Sequence, residues 1–174
     1  MINMDKLNEK ILELAKDLHE NAIRIYCPPD EGFRTESEKV IPMSLVRNTR
    51  GYIKQVANQI NGCYEKGWYD ACAVMIRRLV ETLLIEAFES KGIENKIMNS
   101  QGDFLVLDEI IGKTLAESTW NLSRNTKKAL PKLKKIGDYS AHSRRYNAHF
   151  KDIELLVDDI RILVQEFIYM AFSK

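Results

Sequence analysis

The sequence predicts an all-α helical bundle, and three observations carry that prediction. Apolar residues recur at steps of three and four through most of the chain, the spacing that lines one face of a helix. Only eight glycines and four prolines punctuate 174 residues, too few for the many tight turns of a β fold. No stretch of strict apolar–polar alternation stands out as a strand. The 45% hydrophobic content is enough to build a buried core at this length, which suits one domain with an added terminal element. Residues 1–41 read as an N-terminal helix and its connection, and residues 42–174 as the bundle.

Residues 5–25 place Leu7, Ile11, Leu14, Leu18, Ala22 and Ile25 on one helical face. Cys27, Pro28 and Pro29 end that helix, because proline has no amide to donate and restrains its predecessor. This first helix is either an extension packed on the main domain or a partner-binding arm. A second helix is expected from Ser44 to Lys66, with Gly51 and Gly62 inside it, each costing roughly 1 kcal/mol relative to alanine. Gly67 suits the left-handed position beyond its end.

Residues 68–91 carry the strongest signal. Cys72, Met75, Ile76, Leu79, Val80, Leu83, Leu84, Ala87 and Phe88 cover a face wide enough for a central helix buried on several sides. Lys91-Gly92 closes it. Arg77, Arg78 and Glu81 interrupt the apolar pattern at spacings that allow ion pairs on one face. Alternatively, Arg77 turns toward a downstream basic segment and helps hold an anion. Asp103 is a candidate cap for a helix through Glu117. Beyond it Pro131 either interrupts the pattern or opens a new short helix, and Gly137-Asp138 marks a break. The last helix is expected to run from Asp152 to Phe172 without interruption.

Charge is distributed unevenly along the chain. Residues 124–151 hold nine lysines and arginines against the single acid Asp138, although the whole chain is only +1. Such a segment either presents a positive field that collects phosphates or is neutralised by the acidic last helix. Three cysteines without C-x-x-C spacing argue against a disulfide framework or a zinc site and suit a reducing cytoplasm. The longest apolar run, Ala71 to Ile76, is far too short to cross a bilayer. Phosphate-binding glycine loops, zinc-protease signatures and the G-x-S-x-G elbow are absent. No cofactor and no metal are expected.

Two of the three histidines, His142 and His149, lie in the basic segment among Lys134, Lys135, Arg144 and Arg145. Metal-free RNA cleavage needs a proton acceptor for the 2′-hydroxyl, a proton donor for the leaving oxygen, and a cation for the charge that develops on phosphorus. Imidazole can serve either proton role near neutrality, cations stabilise the charge, and Tyr139 or Tyr146 can stack on a base. The plainer alternative is that His142 satisfies backbone carbonyls at a helix junction.

The stretch Lys135-Ile136-Gly137-Asp138-Tyr139-Ser140-Ala141-His142 resembles the arginine-to-histidine segment of HEPN proteins, the higher eukaryote and prokaryote nucleotide-binding superfamily. It is most similar to a prokaryotic branch in which a cation precedes Gly-Asn or Gly-Asp and then Ala-His. The upstream run from Ala71 to Glu81 is similar to that branch's early helix, and the likeness spans about residues 63–172. It implies a HEPN-like bundle, a homodimer that brings two motifs together, and metal-independent endoribonuclease activity in a defence or RNA-processing system. Other members of the superfamily are non-catalytic dimerisation or protein-interaction modules, and a small-nucleotide binder is a third alternative. Carried over by position, the catalytic set is His142, Lys135 and Asp138, with Lys134, Arg144, Arg145, Arg77 and His149 on RNA phosphate. Lys135 stands where the family has arginine, and so lacks the planar fork that grips phosphate twice. Arg144 to His149 fits the same spacing and stays open as the competing assignment.

Overall fold

The computed structural model describes residues 8, 10–19 and 38–172. The chain divides into two compact units, Met1–Arg34 and Thr35–Lys174. In the first, residues 10–19 form helix α1, where Ile11, Leu12, Leu14 and Leu18 are all exposed. The rest of the expected helix over 5–25 lies outside the described residues apart from residue 8, as does the connection that follows it up to residue 37.

The second unit is an all-α bundle. Its elements are α2 (Met43–Val46), α3 (Gly51–Glu65), α4 (Tyr69–Ser90), a 3-10 turn (Glu94–Ile97), α5 (Leu107–Ala116), α6 (Arg124–His142), α7 (Phe150–Glu154) and α8 (Val157–Phe172). Among the described residues the only β feature is an isolated bridge between Met98 and Phe104. No described helix is long and apolar enough to cross a membrane.

Helix α4 is the axis, packed against α3, α6 and α8. Cys72, Ala73, Ile76, Leu83, Leu84, Ala87 and Phe88 on it are fully buried. They meet Ile53, Ala57 and Ile60 of α3, Ala129, Leu130 and Leu133 of α6, and Leu163, Val164 and Phe167 of α8. Each large apolar side chain so buried contributes about 1.5–3 kcal/mol. Burial, reinforced by the neighbouring Cys63, pushes the Cys72 thiol up to about 12. Cys72 therefore fills core space as a protonated, non-nucleophilic group.

Gly67 and Gly92 follow the last residues of α3 and α4 with φ of 75° and 66°, the left-handed conformation that stops a helix and that glycine adopts without strain. Three other boundaries depart from the sequence reading. The helix expected from Ser44 is split, because Thr49 Oγ1 donates to the Val46 carbonyl at 2.7 Å and Arg50 turns extended before Gly51. Asp103 does not cap a helix. Its amide donates to Asn99 Oδ1 at 2.9 Å in a closed turn, and α5 starts only at Leu107. The last helix is also broken: Leu156 donates to the Ile153 carbonyl at 2.9 Å, a tighter i+3 bond that separates α7 from α8.

A buried side-chain amide and an arginine attach segment 38–42 to the bundle. Asn61 Oδ1 accepts from the amides of Val40 (3.2 Å) and Ile41 (2.9 Å), while its Nδ2 donates to the Ile41 carbonyl at 2.8 Å. Arg161 of α8 donates Nε to the Val40 carbonyl at 3.0 Å. Replacing Asn61 by alanine strands three buried backbone groups. Asn61→Ala is expected to lower unfolding free energy by about 1–3 kcal/mol, read as a lower urea midpoint at unchanged slope.

Candidate nucleic-acid interface

Helix α6 carries the basic segment, and its two ends are fixed by different means. At the N-terminus the Ser123 hydroxyl accepts from the Thr126 amide at 3.2 Å. Glu166 of α8 accepts from the Ser123 amide and hydroxyl, both at 2.7 Å, and from the Thr126 hydroxyl. A carboxylate at that end also suits the helix dipole. The helix then runs unbroken through both expected interruptions. Pro131 lies inside it on the exposed face, where the Lys127 carbonyl it leaves without an amide partner can be hydrated.

Gly137 is also helical, and the contact it permits decides the geometry of the site. A Cβ there would lie 2.5 Å from Arg77 Cβ and 3.0 Å from the Ala73 carbonyl oxygen. Both are fixed parts of α4, so only glycine lets the two helices approach this closely. The next residue, Asp138, thereby reaches across to α4. Its Oδ1 accepts from Arg77 Nε at 2.7 Å and its Oδ2 from Lys134 Nζ at 2.7 Å. Lys134 also reaches Asp108 of α5 at 3.1 Å, and Arg77 pairs with Glu81 at 3.7 Å.

Burial pushes the Asp138 carboxyl up, but the hydrogen bonds from Lys134 and Arg77 outweigh it and hold the group below its ordinary value. Donating to Asp138 and then to Asp108 raises Lys134. Arg77, Lys134 and Asp138 are thus brought together as a closed ionic network. Two cations expected on phosphate face a protein carboxylate: Arg77 pairs with Glu81 on its own helix and turns toward the basic segment, where it meets Asp138.

The remaining expected residues stand further out. Lys135 is exposed, with Nζ 5.4 Å from the centre of the Tyr139 ring. The Tyr139 ring is half exposed and lies 5.7 Å from that of Tyr146. His142 is the last residue of α6 and is exposed, as are Arg144 and Arg145 in the turn beyond it. Among the described residues no carboxylate comes within ion-pair distance of Lys135, Arg144 or Arg145, whereas Lys132 pairs with Asp159 of α8 at 2.9 Å. The acidic last helix therefore answers only one of these cations.

Residues 143–149 are tethered at their far end. The Ala148 amide donates to Asp70 Oδ1 at 2.9 Å, and the His149 amide to Asp152 Oδ2 at 2.8 Å. Burial first, then the charge and hydrogen bond of Asp152 and the charge of Asp70, raise the Tyr146 phenol, so it stays a neutral donor. His149 opens α7 while His142 closes α6, and their imidazoles belong to different helix ends. The sequence reading missed Asp70 and Asp108. Acids in the first turn of a helix are ordinary dipole partners, so neither carried a signal.

Gly137→Ala is expected to cost about 1–3 kcal/mol by overpacking and to separate Asp138 from Arg77, measured by chemical denaturation. The network also sets a pH window. The depressed Asp138 contributes stability above its ordinary 3.8, lost as pH falls through the lower folded value. The raised Lys134 contributes below its ordinary 10.5, lost as pH rises through the higher folded value. Asp138→Asn should lower stability at pH 7 by about 1–2 kcal/mol and flatten the acid limb of a stability–pH curve below about pH 4.

Comparison with curated proteins and with solved structures finds no match for this chain. A family model described as Domain of unknown function (DUF4145) matches residues 58–172. That span holds α4, the whole of α6 and every residue of the candidate interface, so these features lie within the family's own domain. The chain belongs to the DUF4145 family.

Proposed function

We propose that the C-terminal end of α6 is the RNA-contacting surface of a HEPN-like domain, and that His142 makes it a metal-independent endoribonuclease. One observation carries this reading: Lys135, His142, Arg144 and Arg145 are exposed over the last two turns of α6 and the turn beyond it, and Lys135 lies over the half-exposed Tyr139 ring. Cations there can neutralise phosphate, and an aromatic ring offers a base a stacking surface. In the reaction His142 takes the 2′-hydroxyl proton, the 2′-oxygen bonds to phosphorus, and the bond to the 5′-oxygen breaks as that oxygen is protonated. The products are a 2′,3′-cyclic phosphate and a 5′-hydroxyl.

Pairing of two copies would supply a second His142 for the protonation step. Exposed Ile162 and Tyr169 of α8, with exposed Leu155 in the turn before it, support an apolar contact between copies. A reducing cytoplasm suits the reading, since Cys63 and Cys72 are free thiols.

The Asp138 network favours a second reading, a non-catalytic interaction module. With Arg77 and Lys134 answered by a carboxylate, the inner part of the segment is a helix–helix lock, and the outer cations serve a partner surface. A small-nucleotide binder would use the same outer cations.

Purified protein with single-stranded RNA in EDTA decides between them. Cleavage with cyclic-phosphate products is expected, and His142→Ala should lower the rate at least ~10²-fold, the usual contribution of a positioned acid or base, at unchanged helix content. Lys135→Arg should hold or raise the rate, and His149→Ala should leave it within a few-fold. RNA affinity should fall with salt, and joint removal of Lys135, Arg144 and Arg145 should reduce the log–log slope by about 2. Inert wild type that still binds RNA leaves a binding module, and absence of RNA binding at low salt leaves the protein-interaction module. Light scattering is expected to show a dimer.

A further inference from the structure

A different end of the bundle holds an open cavity of about 540 Å³, formed where the approach to α3, the last turns of α4 and the end of α8 converge. Its walls include Thr49, Arg50, Glu86, Glu89, Ser90 and Phe172. Glu86 lies nine residues beyond Arg77 on α4, about 13 Å along the helix axis at 1.5 Å per residue, and shares no ion pair with the basic segment.

The lining is acceptor-rich. The Thr49 hydroxyl donates to the Val46 carbonyl at 2.7 Å and the Ser90 hydroxyl to the Ala87 carbonyl at 2.9 Å. With their hydrogens committed, both hydroxyls can act toward a further group only as acceptors. The Glu86 side chain is only 5% exposed, and its ion pair among the described residues is a long contact of 3.4 Å to Arg50 Nε. Arg50 is itself 58% exposed and is the only cation among the described lining residues. Two acids, Glu86 and Glu89, stand at the carboxyl end of α4, whose last turn holds no basic residue; Lys91 follows at the cap and is not among the described lining residues. That end already carries the negative pole of the helix dipole. Desolvation pushes the Glu86 carboxyl up, with Arg50 lowering it only in part. A buried carboxylate with one long contact is held below its capacity for donors.

We propose that this cavity binds an alkylammonium group, with Glu86 as its main anchor, Glu89 as the second charge, and the Thr49 and Ser90 oxygens as further acceptors. The Phe172 ring supplies an apolar wall for the alkyl chain and a π face for the cation. The three ammonium hydrogens match an acceptor-only lining. A hard metal ion fits less well, since it asks for six or more converging oxygens and the cavity is large enough to admit a molecule. Arg50 pairs with this anchor at 3.4 Å, and the entering amine displaces it outward. The chemistry is shared by a free polyamine and by a lysine side chain of a protein.

Calorimetric titration of the full chain with putrescine, with Nα-acetyl-lysine amide, and with the neutral control 1-butanol tests this. Saturable binding of at least one amine and none of the alcohol is expected. Glu86→Gln, which keeps the shape and removes the charge, should weaken it at least ~10-fold and Glu89→Gln less. Arg50→Ala removes the competing cation, so the amine should bind it more tightly and raise its melting temperature more than that of wild type. Binding of putrescine alone assigns the site to a free polyamine, and equal binding of the lysine mimic assigns it to a protein side chain. Absence of saturable amine binding in both wild type and Arg50→Ala overturns the proposal. So does equal binding of the alcohol, or unweakened binding by a folded Glu86→Gln.

Discussion

The close approach of α6 to α4 at Gly137 is the constraint on which the candidate interface depends. A side chain at this position would collide with Arg77 Cβ and the Ala73 carbonyl, both rigidly placed by α4. Its absence lets Asp138, one residue on, sit between Arg77 and Lys134 and accept from both. The ionic network is therefore a consequence of backbone packing. It in turn fixes the rotation of α6 about its own axis. Leu130, Leu133 and Ile136 face the core, Lys134 faces the α4–α5 side, and Lys135 faces out.

That rotation separates a strongly basic segment into two populations. Inner cations are neutralised by Asp138 and Asp108, while Lys135, Arg144 and Arg145 keep their charge toward solvent. A polyanion would meet only the outer set. The loop carrying Arg144 and Arg145 is not left to wander, because the Ala148 and His149 amides are claimed by Asp70 and Asp152. Tyr146 ties the same loop back toward Tyr139. Ordering a cationic loop before it binds reduces the entropy lost on binding.

How much of this was legible in the sequence follows from where each signal is encoded. Helix α4 was readable because its apolar face is wide and glycines stand just past α3 and α4 with the positive φ that ends a helix. The continuity of α6 was not. Pro131 and Gly137 are local breakers, and here packing overrides both: the proline on a face where water can satisfy the freed carbonyl, the glycine at a contact only it can make. The sequence likewise singled out Arg77, Lys134 and Asp138 by residue type without revealing that they pair. Pairing across helices depends on rotation and crossing, which periodicity does not specify. The split between α7 and α8 turns on one i+3 hydrogen bond at Leu156 and leaves no mark in composition.

Helix α4 links the two charged features of the bundle. Over 22 residues, about 33 Å at 1.5 Å per residue, it carries Asp70 and Arg77 toward the basic segment and Glu86 and Glu89 toward the acceptor-lined cavity. Asp70 lies in its first turn, where the helix dipole favours an acid, and there it holds the loop of the basic segment. Glu86 and Glu89 stand near the opposite end, where the dipole disfavours acids and a cation is the natural complement. The basic outer set of α6 and the acidic lining of the cavity thus present opposite charges at opposite ends of α4. Sixteen residues, about 24 Å at 1.5 Å per residue, separate Asp70 from Glu86 on α4, so in physiological salt the two charge fields act independently.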